Sequence, residues 1–290
     1  MKIELAFPEK TGFFVRKIDG LGPPKASINN TNYSTMDGAL HNSARVQTRN
    51  IVLSLGFMSV PSIEAVRLKS YRFFPIKKEI TLAIETDSRV LKTSGFVESN
   101  EPDIFSSEEG TQISVICADP YFYSDGADGN NTTVFYGTIP QFEFPFSNDS
   151  LTDKLIQFGT TEMKTENTVF YSGDVNTGVK ITIHAVGKAS GITIYNVTTR
   201  ESMYINTQKL ETLTGTGLTE GDEIIINTVR GEKSIKLLRN GEYINIFSCL
   251  GKDADWFELT KGDNLFVYKA TEGVRNLQLK IENRILYEGV

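Results

Sequence analysis

Two histidines, His41 and His184, and two cysteines, Cys117 and Cys249, are the only residues of their types in this 290-residue chain. Neither histidine has a second His or a Cys at the spacing that a zinc site asks for. A Ser-His-Asp or Cys-His centre would need one of them beside a nucleophile, and no G-x-S-x-G elbow occurs. Both imidazoles read as solvated, His41 in a polar loop and His184 on the outward face of a strand. The P-loop pattern is absent. "GTGLTEG" (215–221) imitates a glycine-rich loop but runs into a strand rather than a helix, so it reads as a turn. "DGADGNN" (125–131) hints at a calcium loop, which needs oxygen ligands at alternate positions and a distant bidentate Glu. Counted from Asp125, the third position is Ala127; counted from Asp128, no glycine stands where the turn requires it.

Glu98, Glu101 and Asp103 cluster as a glycosidase pair would, but a solvated acidic loop carries the same residues. Trp256, in "KDADWFELTKGDN", is the remaining chemical suggestion, a sugar-stacking platform. The alternation of "WFEL" reads instead as a strand-edge ring turned inward. No acid–base pair and no activated nucleophile is assembled. The expectation is a non-enzymatic protein with no catalytic residue, no cofactor and no metal.

Elements must therefore carry the function. A length of 290 residues suggests about two domains. Hydrophobic content of 39% and charged content of 23% are ordinary for globular chains. A net charge of −6 without a basic stripe argues against nucleic acid as a partner. The opening "MKIELAFPEKTGFFV" lacks the apolar stretch of a signal peptide, and no 18-residue apolar run occurs, so no membrane partner is expected. Two distant cysteines give no disulfide framework, and folding in cytoplasm is the simpler expectation. The sequon Asn131-Thr132-Thr133 is then a chance match.

"ITLAIETD" (80–87), "TQISVIC" (111–117), "GVKITIHAV" (178–186) and "DEIIINTV" (222–229) are short, β-branched and closed by turn residues. In the third, Val179, Ile181, Ile183 and Ala185 share one face, the mark of a half-buried antiparallel strand. Asn240-Gly241 between apolar runs predicts a tight hairpin, and a similar turn is expected near Glu272-Gly273. One helix is predicted over 62–74, with Ser62 as N-cap and Glu64 in the first turn. Ile63, Val66, Ser70 and Tyr71 would line its buried face, and Pro75 would stop it. Polar stretches 22–45 and 124–154 read as long loops, the second with a short strand around 134–136. The expected division is 1–130, a transition over 131–164, and a β-sandwich over 165–290. Tyr121, Phe122 and Tyr123, after Pro120, would close the first core where the chain leaves it.

Several segments resemble a known family. "RNIVLSL" (49–55), "SYRFFPIKKEITL" (70–82), "GFVESNEPDIFSSEEGTQISVICADPYFY" (95–123) and "ADPYFYS" (118–124) are similar to the N-terminal domain of distal tail (Dit) proteins of long-tailed phages. "ITIYNVTTRESMYIN" (192–206), "LTEGDEIIINTVRGEKSIKLLRNGEYINIF" (218–247) and "WFELTKGDNLFVY" (256–268) resemble the second domain. The resemblance implies a mostly β protein. Its N-terminal part would be an α+β ring domain, a β-belt or split barrel with one helix; its C-terminal part would be a galectin-like antiparallel β-sandwich, or jelly roll. It implies a homo-hexameric ring, a hub between the tail tube and the host-adsorption apparatus. The implied partners are further copies of the chain, the major tail protein, and a tail-associated lysin, tail fibre or receptor-binding protein. DNA would only pass through the channel, and the protein would reside in the virion at the tail tip after assembly in the bacterial cytoplasm.

Sugar binding does not carry across. Galectins use His-x-Asn-x-Arg and Trp-x-x-Glu motifs, whereas His184 is followed by Ala185-Val186-Gly187 and Trp256 by Phe257-Glu258. "HNSAR" (41–45) lies in the other domain. Recognition of a host polysaccharide through the second domain is nevertheless the alternative reading. A closed ring needs a head-to-tail contact, and strand addition would supply it. The 22–45 loop and "RNIVLSL" are the expected arm, with Asn32, Tyr33, Arg49 and Ile51 as interface candidates.

Overall fold

The computed structural model describes residues 3–59, 62–124, 130–140 and 159–290. Most of the 125–131 calcium-loop candidate and of the 124–154 loop lies outside the described residues. The chain folds as two compact units, Met1–Ala127 with Leu286–Val290, and Asp128–Ile285.

The first unit begins with α1 (Pro8–Thr11), β1 (Phe13–Asp19), β2 (Ala26–Asn32), β3 (Ala39–Val46) and β4 (Arg49–Phe57). It continues with α2 (Ile63–Phe73), β5 (Glu79–Glu85), β6 (Val90–Pro102), β7 (Gly110–Cys117) and β8 (Phe122–Ser124). Its main sheet is antiparallel, in the order β1-β4-β7-β6-β8, with β5 also on β6. Alternation explains the core: Ile51, Leu53, Leu55 and Phe57 of β4 and Ile113, Val115 and Cys117 of β7 point inward and are buried. Bulges between Val15 and Lys17 and between Val97 and Ser99 interrupt the register of the two long pairings.

Helix α2 lies over this core through Val66, and Phe74 follows at its end. Ser62 caps it, its hydroxyl accepting the Ala65 N–H at 3.2 Å. Ser70 is buried as expected, but Tyr71 is 40% exposed. Tyr71 stands about 80° round the helix from Ile63, at the edge of the stripe rather than within it. The 22–45 stretch, read as a loop, is instead a hairpin: β2 and β3 pair only with each other.

The second unit contains β9 (Asn130–Val134), β10 (Tyr136–Pro140), β11 (Gly159–Met163), β12 (Glu166–Tyr171), β13 (Thr177–Ala185) and β14 (Ser190–Asn196). Then come β15 (Glu201–Ile205), α3 (Thr207–Thr214), β16 (Glu223–Asn227), β17 (Ser234–Arg239) and β18 (Glu242–Asn245). β19 (Glu258–Leu259), β20 (Gly262–Glu272) and β21 (Leu277–Arg284) complete it. One sheet runs β12-β20-β14-β15 and the other β18-β17-β16-β13-β21-β9, with β19 on the end of β13. Their buried faces make a sandwich core, with Phe257 edge-on to Phe266 at 5.6 Å and Phe135 edge-on to Tyr268 at 6.0 Å. The β17–β18 turn is as the sequence predicts, with φ of 52° at Asn240 and 83° at Gly241.

Three features depart from the sequence reading. A second sizeable helix, α3, is capped by Asn206, whose side chain accepts the Gln208 and Lys209 N–H groups, and ends at left-handed Gly215. The described parts of 131–164 are strands β9, β10 and β11, and β9 pairs with β21 in the larger sheet of the second unit. Finally, the chain returns to the first unit: β22 (Leu286–Tyr287) pairs with β8. The C-terminal segment leaves the sandwich because Tyr287 and Val290 pack on the apolar core of the first unit.

Candidate functional site

Two of the four interface candidates lie inside the first unit. Ile51 is wholly buried and Arg49 is 3% exposed. The Arg49 guanidinium donates from Nε to the Pro120 carbonyl at 2.6 Å and from Nη1 to Gly20 and Gly22 at 2.5 and 2.6 Å. Its Nη2 donates to the Glu288 carbonyl at 2.5 Å, and the group lies 4.3 Å from the Phe122 ring centroid. The planar five-donor fork suits four carbonyls that converge where three connections meet. Burial lowers the Arg49 pKa from the usual arginine value, the charges of Cys117 and Asp119 acting the other way. Arg49 is thus a clamp within the unit, not a group offered to another copy.

Asn32 and Tyr33 are placed differently. They stand at the outer end of the β2–β3 hairpin, whose strands are exposed along nearly their whole length. Ile28, Tyr33, Met36 and Leu40 are 61%, 44%, 66% and 54% exposed. The ribbon is held by cross-strand side chains, Asn42 to Thr31 at 2.6 Å and Asn29 to Ser43 at 3.2 Å, with His41 facing Asn30 at 3.3 Å. An isolated two-stranded hairpin is at best marginal in water. At the base of the ribbon Ala26, Ile28, Ala44 and Val46 share one face and Ser27, Asn29, Ser43 and Arg45 the other.

Of the three aromatics after Pro120, Phe122 is fully buried in the first core, while Tyr121 and Tyr123 are half-buried. Cys117, close by, has its thiol pKa raised by burial.

Sequence reasoning passed over the β6–β7 loop. Ile104 is 46% and Phe105 95% exposed, and Phe105 takes φ +63°, a conformation that is costly for a bulky residue. The loop is braced rather than loose. Asp103 N–H donates to Gly110 O at 3.0 Å, and Phe105 N–H points to Glu109 Oε1 at 3.4 Å. Glu109 is in turn paired with Arg67 of α2 at 3.4 Å, both side chains largely buried. On the first unit there is also a cleft of about 290 Å³ between α1 and α2, with Phe7 and Phe73 in its lining. The signal was an apolar Ile-Phe pair inside the acidic stretch "EPDIFSSEEG". The sequence reading weighed that stretch for its carboxylates and for its likeness to distal tail proteins, and not for this apolar pair.

In the second unit Trp256 is half-buried rather than turned inward, because it precedes the two-residue strand β19 instead of lying in it. Its ring is stacked with Phe247 at 5.9 Å and lies 5.2 Å from Lys233 Nζ. His184 faces Glu223 across the β13–β16 pair at 3.4 Å. The best-built polar arrangement is Asp222 with Arg239, a two-pronged pair at 2.8 and 2.6 Å. Asp222 also accepts from Thr219 N–H and hydroxyl, while Arg239 also donates to Thr214, Thr216 and the Gly217 carbonyl. Burial alone would raise the Asp222 pKa; the bonds from Arg239 and Thr219 outweigh it and hold the carboxyl below the ordinary aspartate value. Among the described residues no cluster of three or more His, Cys, Asp or Glu is arranged to hold a metal.

Residues 172–284 match the family model described as "Siphovirus-type tail component, C-terminal domain". By sequence, no curated protein matches the chain. The crystal structure of SPP1 Dit, described as a paradigm of the hub adsorption apparatus in phages infecting Gram-positive bacteria, superposes with a TM-score of 0.63. That likeness is at 13% identity and covers 96% of this chain and 94% of the other. A chain of the phage P2 baseplate in its activated conformation with calcium gives a TM-score of 0.44 at 10% identity, over 93% of this chain and 90% of that one.

Proposed function

From a chain whose residues 172–284 carry the C-terminal domain of the siphovirus-type tail component family, and whose fold is that of SPP1 Dit, we propose a structural hub protein of a phage tail. It assembles as a homo-hexameric ring at the tail tip and joins the tail tube to the adsorption apparatus. The family match over the second unit carries this reading; the exposed β2–β3 ribbon of the first unit supports its ring-forming part. Met1–Ala127 with Leu286–Val290 forms the ring, and Asp128–Ile285 is the sandwich carried by it. In a head-to-tail ring each copy offers one surface and receives another. Asn32 and Tyr33, at the ribbon end, lie across the next copy, where main-chain pairing hides strand edges that would otherwise recruit chains at random. The major tail protein meets one side of the ring, and a lysin, fibre or receptor-binding protein the other. The protein folds in the bacterial cytoplasm and works in the virion, with DNA passing through the channel.

Recognition of a polysaccharide by the second unit gains little from Trp256, since Phe247 and Lys233 already engage its ring. Light scattering at rising concentration, negative-stain imaging and a glycan-binding screen separate the two readings. The expected outcome is a sixfold ring with a central channel and no glycan affinity. A strict monomer that binds a sugar, with binding lost in Trp256→Ala, would sink the hub reading.

A further inference from the structure

The first unit carries both an apolar projection and a cleft that holds two aromatic rings, and we infer that they meet in neighbouring copies: Phe105 of one copy seats between Phe7 and Phe73 of the next. The inference rests on the ring reading above and assigns it a contact. Phe105 is the most exposed large apolar side chain among the described residues. Its left-handed backbone, held by Asp103, Glu109 and Arg67, keeps the ring out in solvent where a relaxed loop could fold it down. Strain of this kind persists only where the surrounding structure fixes it, and it is common at clamps and contact points.

The cleft fits in size and in charge. An apolar cavity of about 150 Å³ takes up benzene, so about 290 Å³ leaves room for the phenyl ring and part of Ile104. Ile3, Phe7 and Phe73 line it together with Thr11, and the two rings carry lysine ammonium groups, Lys10 Nζ 4.7 Å from the Phe7 centroid and Lys69 Nζ 5.9 Å from that of Phe73. Its charged rim is Lys10, Lys69 and Glu4, with Lys69 Nζ fixed on the Thr11 carbonyl at 2.7 Å. The loop that bears Phe105 is acidic throughout, with Glu101, Asp103, Glu108 and Glu109 and no basic residue between them. Glu109 is used internally by Arg67, whereas Glu101, Asp103 and Glu108 are exposed. Glu108 stays 82% exposed even with Arg16 at 3.6 Å. An acidic projection and a lysine-flanked cleft on the same unit are complementary to each other.

The two features also lie on opposite flanks of one helix. Arg67, which braces the loop, and Lys69, which lines the cleft, are about 200° apart round α2. Loop and cleft in one copy are therefore separate surfaces with α2 between them, and a meeting of one with the other in a neighbouring copy is a contact of the head-to-tail kind that closes rings.

The test pairs cysteine trapping with sedimentation, on the full chain. In Phe105→Cys/Phe7→Cys, mild oxidation is expected to yield a ladder of disulfide-linked oligomers ending at the ring size, because both halves are present in every copy. Each single variant is expected to stay uncrosslinked; the native Cys117 and Cys249 are buried. Phe105→Asn tolerates the left-handed backbone and removes the ring without touching the core. It is expected to weaken association by about 10- to 100-fold, the worth of burying one phenylalanine. Lys10→Glu with Lys69→Glu is expected to weaken it further. A wild type that forms no oligomer at any concentration overturns the ring reading and the contact with it. A ring that assembles equally well in Phe105→Asn overturns the contact alone.

Discussion

Replacing Arg49 by methionine tests the clamp at the heart of the first unit. The substitution keeps most of the aliphatic bulk but removes four donors from the carbonyls of Pro120, Gly20, Gly22 and Glu288. A hydrogen bond to a charged group contributes roughly 1.5–3 kcal/mol, but a simple sum overshoots, because desolvating the guanidinium is itself costly. Each buried carbonyl left without a donor costs about 1–3 kcal/mol, offset in part by the guanidinium desolvation no longer incurred, and a net loss of about 3–5 kcal/mol is expected. With m of roughly 1.5–2 kcal/mol per molar urea, the midpoint of the first unit falls by about 2 M. Trp256, the single tryptophan, lies in the second unit, so its fluorescence follows that unit while circular dichroism follows both. The expected record is an early dichroism phase that moves much more than the tryptophan transition. Hydrogen exchange gives a local check: the Val290 N–H, which donates to Leu21 O at 3.0 Å, loses protection. Arg49→Lys should recover less than half the loss, since an ammonium cannot reproduce the planar fork. A loss under about 1 kcal/mol, or full recovery by lysine, would refute the account of a four-carbonyl clamp.

Two further outcomes follow from burial. Phe122→Ala empties a fully buried site beneath the Arg49 guanidinium and is expected to cost the first unit about 3–5 kcal/mol in a denaturant melt; a change below about 1 kcal/mol would mean the ring packs against a partner instead. Asp222 has a folded pKa below its unfolded value of about 3.9, so its contribution is complete above that value and is lost as pH falls through the folded pKa. Asp222→Asn should therefore cost about 3–5 kcal/mol near neutral pH and progressively less below about pH 4. A wild-type-to-variant gap that stays constant down to pH 2 would show that the charge of Asp222 contributes nothing.

What the sequence made legible follows the range of the interactions involved. The β13 alternation, the Asn240-Gly241 hairpin and the Ser62 cap are local, and residues within a few positions of one another decide them. Helix α3 was equally local, with Asn206 before it and Gly215 after it, but the surrounding strand-rich pattern masked an eight-residue element. Arg49 could not be placed by its neighbours, because its four acceptors come from 27 to 239 positions away. An arginine beside a strand reads as surface until the carbonyls it serves are known. The 22–45 stretch failed for another reason. Ala26 and Ile28, paired with Val46 and Ala44, do alternate with polar neighbours, but only at the base of the ribbon; the irregularity at Asn29 and the Asn-rich run to Asn32 break the pattern by which strands are recognised. Phe105 is the converse case: an apolar pair in an acidic loop carries no period, and its exposure is known only from the structure.

The pairing of β22 with β8 has a consequence for how the chain is made. The strand that completes the first sheet emerges from the ribosome only after all of Asp128–Ile285 has been synthesised. At roughly 5–20 residues per second, Arg49 waits on the order of ten seconds or more for its fourth acceptor. The four-carbonyl clamp is thus the last part of the first unit to be finished. The first sheet therefore cannot be completed until the segment that forms the second unit has left the ribosome.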